Sequence, residues 1–150
     1  MNKILFIEDN KIKAEELISF CNFEFENIEI VWKESFTSGL REYFVNEYDI
    51  LFLDMSLPTR DGLQSSSLNN FEQLGGYKVM SEMKRKNRTI PTLLITMFSE
   101  FGVGESFMDL KELDSVCKEE FSNFYEGLIF YSSRKIEWKN EIKKNLSKLL

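Results

Sequence analysis

Histidine is missing from all 150 residues. That excludes zinc sites built on His and Cys, Ser-His-Asp and Cys-His catalysis, and a phosphohistidine carried by this chain. Cysteine is scarce: Cys21 and Cys117 are too few for a disulfide framework, and their apolar neighbours suit buried thiols in a reducing compartment. With two prolines, 43% hydrophobic and 29% charged residues, the composition is far from that of a disordered chain. Long apolar runs are lacking as well. Met1-Asn2-Lys3 leads into only four apolar residues, Ile4 to Ile7, before Glu8 and Asp9. This fits neither a signal peptide nor a membrane span and predicts a cytoplasmic protein. Positive charge is in deficit, with 19 basic against 25 acidic residues and a net charge of -6. The deficit opposes attraction to phosphate backbones or anionic lipid, so neither direct nucleic-acid binding nor a membrane role is expected.

What is present fits one domain over residues 1–150. Short apolar runs at 4–7, 28–32, 50–53, 92–96 and 128–131 are too brief for helices, yet apolar on consecutive residues. Strands covered on both faces read this way. Between them lie stretches with helical spacing: Ile12, Leu17, Ile18 and Cys21; Phe36, Leu40, Tyr43 and Phe44; Val79, Met80 and Met83; Phe107 through Phe124; and Trp138 through Leu149. Strand then helix, five times over, predicts an α/β fold with a doubly wound parallel sheet. Two connections are long: a polar insert at 59–75 and an extended acidic fourth-helix region at 98–126. Ser106 and Asp109 have the spacing of a capping box, which would start the fourth helix there and leave 98–105 as a loop.

Doubly wound sheets bind ligands beyond the carboxyl ends of their strands. The first strand ends in Glu8-Asp9-Asn10 and the third in Asp54-Met55-Ser56-Leu57-Pro58. One such residue alone is commonly a helix cap, a role open to Asp9 or Asn10. If the two strands are neighbours, however, three carboxylates converge. Each pair about 5 Å apart repels by about 3 kcal/mol at an effective dielectric near 20. Protonation or a hard divalent cation must compensate, and the oxygen-only donor set suits Mg2+.

Three segments carry a resemblance: Lys3-Ile-Leu-Phe-Ile-Glu-Asp-Asn10, Tyr48-Asp-Ile-Leu-Phe-Leu-Asp-Met-Ser-Leu-Pro58 and Pro91-Thr-Leu-Leu-Ile-Thr96. In this order, and spanning the chain, they resemble the receiver domains of response regulators. The resemblance implies a flavodoxin-like (βα)5 sheet of strand order 2-1-3-4-5. It also implies two-component signalling by phosphoryl transfer to Asp54 from a histidine kinase or a phosphotransfer protein. Asp9, Asp54 and the Ser56 backbone carbonyl would hold Mg2+, with Glu8 reaching it through water. Thr96 would contact the phosphoryl oxygens and act as the switch. Enzymatic action would extend at most to self-phosphorylation and self-dephosphorylation.

The chain departs from the family pattern in three places. Receivers carry a lysine followed by proline at the end of the fifth strand, and here Tyr131 and Ser132 take those positions. Tyr131 offers one neutral hydrogen bond in place of a cation, with Arg134 or Lys135 as substitutes that could swing inward. Met97 stands where a small residue is usual, and the 59–75 insert follows the Asp54 strand. Residues 98–126 hold eight acids and two lysines, equal to the whole net charge of -6, together with Phe98 and Phe101. Such a face suits a downstream protein partner or a homodimer. With nothing after Leu150, a stand-alone receiver or one excised from a longer protein is expected. The competing expectation is a pseudo-receiver that keeps the fold and works as a phosphorylation-independent interaction module.

Overall fold

The computed structural model describes residues 1–61, 71–72, 74–103 and 106–150. Strand β1 (Asn2–Ile7) leads into helix α1 (Lys11–Glu24), followed by β2 (Ile28–Lys33), α2 (Phe36–Val45) and β3 (Ile50–Leu53). Two short strands, β4 (Leu57–Pro58) and β5 (Phe71–Glu72), precede α3 (Gly75–Arg85) and β6 (Thr92–Thr96). Strands β7 (Glu100–Val103) and β8 (Ser106–Asp109) come next, then α4 (Leu110–Glu120), β9 (Tyr125–Phe130) and α5 (Glu137–Leu149). Five strands form one parallel sheet in the order β2-β1-β3-β6-β9, which is 2-1-3-4-5 when only its members are counted.

The alternation of side chains along each strand divides the core in two. Leu5, Ile7, Leu51, Leu53 and Leu94 pack with Val79, Met80 and Met83 of α3 and with Leu113 and Cys117 of α4. Ile4, Phe6, Ile50, Phe52, Leu93 and Ile95 pack on the other face with Ala14, Leu17 and Cys21 of α1 and Trp138, Ile142 and Leu146 of α5. Both cysteines are free and buried, and burial pushes each thiol up to about 12, which keeps them unreactive. Among the described residues no helix is long and apolar enough to cross a membrane.

Several local expectations need correction. In α1 the inward residues are Lys13, Ala14, Leu17 and Cys21, while Ile12 is 72% exposed. Ser106 and Asp109 do not form a capping box: 106–109 is a strand paired antiparallel with 100–103, and α4 starts after it. Asp109 is the N-cap, its carboxylate accepting from the Glu112 N–H at 2.8 Å. Strand β9 begins at Tyr125, earlier than 128, because a bulge brings Gly127 opposite Leu93. Gly127 sits there at φ 143°, a conformation that side chains disfavour. Phe121 and Phe124 are core residues, whereas the Phe107 side chain and most of the 59–75 insert lie outside the described residues. The cluster at 84–88 is engaged internally. Arg85 pairs with Glu82, Lys84 with Glu120, and Arg88 donates to the Phe44 and Asn46 carbonyls.

Candidate functional site

Parallel pairing of β1 with β3 sets Ile7 beside Leu53, so the residues after each strand meet. The Asp54 N–H donates to the Ile7 carbonyl at 3.0 Å and extends the ladder by one step. Glu8, Asp9 and Asp54 each offer a carboxylate oxygen, and these oxygens lie within 4.8 Å of one another. Capping falls to Asn10, whose side chain accepts from the Lys13 N–H at 2.9 Å, which leaves Asp9 for the cluster. Trp32 Nε1 donates to the Glu8 carbonyl at 2.7 Å, and the Asn10 N–H to Glu8 Oε2 at 3.0 Å, so the turn after β1 is fixed from both sides. Asp54 is held by the Met55 N–H, which donates to its Oδ1 at 2.8 Å.

Helix α3 locks the other side of the loop. The Gly76 N–H donates to the Met55 carbonyl at 2.8 Å, and a Cβ on Gly76 would stand 2.5 Å from the Asp54 carbonyl oxygen. Only glycine lets the helix come this near the backbone of the acid loop. Ser56 is buried directly after it.

The structure adds a residue that the sequence pattern hides. Lys13, fully buried, turns inward from the first turn of α1 and pairs with Glu8, with Asp54 Oδ1 at 3.4 Å from its Nζ. It also donates to the Ile95 carbonyl at 2.6 Å. Tyr131 follows β9, and its N–H donates to the Thr96 carbonyl at 2.8 Å. Its hydroxyl donates to Glu16 at 2.6 Å, and its ring centre lies 6.0 Å from Lys13 Nζ. Arg134 and Lys135 are exposed. Thr96 is buried at the end of β6, where its hydroxyl accepts from the Phe98 N–H at 3.3 Å. A cavity of about 350 Å3 opens over the site, lined by Asp9, Asn10, Asp54, Met97 and Phe98.

Electrostatics follow from burial. Burial first, and the Asp54 charge second, push the Asp9 carboxyl up to about 6. Glu8 is raised by the same two causes, with Lys13 pulling the other way. For Lys13, burial favours the neutral form, but Asp54 and Glu8 outweigh it and hold the ammonium above its ordinary range. Between its ordinary 3.8 and about 6, Asp9 binds its proton more tightly when folded, so its contribution to stability falls as pH rises through that window. Were the ionised cluster to hold a divalent cation, which its three oxygen donors allow, the ion would offset that penalty. The rise in melting temperature on adding Mg2+ should therefore be larger at about pH 7.5 than at about pH 5. A thermal-shift series checks this; an equal rise at both ends would contradict the cluster as the Mg2+ site.

The doubly wound 2-1-3-4-5 sheet is a fold shared with the receiver domains of response regulators. The structure superimposes on the response regulator TrrA of Thermotoga maritima, solved in complex with Mg2+-BeF, with a TM-score of 0.62 at 20% identity, covering 100% of both chains. A signal receiver domain of an HD domain-containing protein from Pseudomonas fluorescens gives a TM-score of 0.67 at 13% identity, covering 99% of this chain and 93% of that one. In sequence, the chain is 26% identical over 151 residues to the Detocs response regulatory protein DtcB of Enterobacter cloacae, covering 98% of this chain and 99% of that protein. It is 25% identical over 142 residues to the uncharacterised protein y4jR of Sinorhizobium fredii, with 94% of each covered. No family model matches the chain.

Proposed function

We propose that the chain is a receiver of two-component signalling that accepts a phosphoryl group on Asp54 in a Mg2+-dependent step and acts through protein contacts. The observation that carries this is the convergence of Glu8, Asp9 and Asp54 at adjoining strand ends, beneath an open cavity, in a receiver fold. Three hard oxygen donors fit Mg2+. Asp9, Asp54 and the Ser56 backbone carbonyl would hold the ion, with Glu8 reaching it through water. Bound there, Mg2+ offsets the charge between the anionic acceptor and the incoming phosphoryl group.

An Asp54 carboxylate oxygen attacks phosphorus, forming an O–P bond as the N–P bond of a donor phosphohistidine breaks. The bonding pair leaves with the imidazole. Hydrolysis later returns the carboxylate: water attacks phosphorus, phosphate departs, and the water's proton passes to solvent. Thr96 keeps a hydroxyl proton to donate to a phosphoryl oxygen. The donor is a histidine kinase or phosphotransfer protein, reaching Asp54 through the cavity mouth where Met97 and Phe98 are 37% and 46% exposed. Output runs through the 98–126 face, where Glu112, Glu119 and Glu120 are exposed, toward a protein partner or a second copy.

Beryllofluoride, which mimics the bound phosphoryl group, tests the reading. With Mg2+ it should shift backbone NMR resonances of the β1, β3 and β6 ends in the wild type, and none of them in Asp54→Asn. A wild type unmoved by mimic and metal together would instead favour an interaction module that works without phosphorylation.

A further inference from the structure

We infer that Lys13, on helix α1, supplies the positive charge that faces the phosphoryl group, a role that the fifth strand of this chain leaves open at Tyr131. This rests on the phosphoryl-acceptor reading of Asp54. An ammonium group carries three donors, and here three acceptors from three different elements meet it: Glu8 after β1, Asp54 after β3 and the Ile95 carbonyl of β6. With both lysine and Glu8 side chains fully buried, bulk water does not screen the charge. A merely solvated helix lysine would point outward, as Lys11 does with 75% of its side chain exposed.

Tyr131 acts as a positioning residue. Its ring packs against the Trp138 ring at 5.1 Å between centres and lies near the Lys13 ammonium. Its hydroxyl fastens Glu16, one turn along α1 from Lys13, so the fifth strand holds the helix that delivers the lysine. The attack adds no charged group to the protein other than the phosphoryl itself, and that group forms on a carboxylate already 3.4 Å from Nζ. A phosphoryl group on Asp54 would therefore be joined to a carboxylate that the Lys13 ammonium already contacts.

Four forms separate this from its alternatives: wild type, Lys13→Met, Tyr131→Lys and the double variant. Each is incubated with Mg2+ and acetyl phosphate, and aspartyl phosphate is followed by intact mass. Losing one charge-assisted contact should slow Lys13→Met roughly 10- to 100-fold. The double variant should recover most of that loss, because position 131 lies within reach of the same space. The second readout needs no turnover: beryllofluoride with Mg2+ should shift the Lys13 ε-methylene resonance of the wild type. It keeps the inference testable should Lys13→Met fold poorly. Phosphorylation of Lys13→Met at the wild-type rate, or an unmoved ε-methylene in a wild type that binds the mimic, would overturn the assignment of Lys13 alone. A wild type that neither gains phosphate nor binds the mimic would overturn the acceptor reading, and the lysine's role with it.

Discussion

Lys13→Met is expected to lower folding stability by about 3–5 kcal/mol, the range for removing one partner of a buried ion pair. Methionine matches the length and apolar character of the lysine stem, so the loss isolates the ammonium. Without it, the buried Glu8 and Asp54 carboxylates face each other with no cation between them, and the Ile95 carbonyl loses its donor. The size of this effect contrasts with exposed pairs on the same helix. Lys11 and Glu15 stand 3.9 Å apart with more than half of each side chain in water. Lys11→Met should therefore change stability by less than about 0.5 kcal/mol. Urea unfolding in the absence of Mg2+ measures both. Adding Glu8→Gln to Lys13→Met should return part of the loss, since one of the opposed charges is then gone. Equal midpoints for wild type and Lys13→Met would show that the lysine is not what balances the acids.

The same lysine marks the boundary of what the sequence discloses. Five apolar runs between helical stretches were enough for a doubly wound parallel sheet, because both of its faces are covered and its strands cannot afford polar positions; the strand order came from the resemblance to receiver domains, and the structure has it. The acid cluster was legible too, since Glu8, Asp9 and Asp54 directly follow the first and third of those runs. The phase of α1 was not. Apolar spacing counts Ile12 as an inward residue, yet Ala14, Leu17 and Cys21 set the buried face and carry Lys13 in with them. A lysine turns inward only when anions wait there, and these come from two strand ends that local spacing does not connect. Tertiary electrostatics, the pairing of Lys13 with Glu8 and Asp54, decides a burial that the apolar spacing does not foretell.

The hairpin after β6 eluded the sequence for a related reason. Ser106 and Asp109 have the spacing of a helix start, and Asp109 does cap α4. What the pattern omits is the antiparallel partner at 100–103, which gives 106–109 a strand's hydrogen bonds instead of a helix's first turn. At β9 the misplaced boundary comes from Gly127. A glycine normally signals a loop, and here it marks a bulge inside a strand. Tyr131 follows β9, and what its sequence position does not disclose is that its hydroxyl donates to Glu16 of α1.

The largest effect is reserved for Asp54. Asp54 lines the cavity and its carboxylate is anchored by the Met55 N–H and Lys13, which is why the proposed reading gives it, and not a neighbouring acid, the acceptor role. Asparagine keeps the shape and removes the nucleophilic anion, and uptake of phosphate should fall by at least about 100-fold, to background. Folding should survive, because the exchange also removes one of the crowded charges. The decisive measurement is intact-mass detection of phosphoryl uptake from acetyl phosphate with Mg2+, in wild type and in Asp54→Asn side by side. One phosphoryl group per chain in the wild type, lost on chelating the metal before the donor is added and missing in the variant, is the predicted result. No uptake by the wild type, or uptake that Asp54→Asn leaves intact, would contradict the assignment of Asp54 as phosphoryl acceptor.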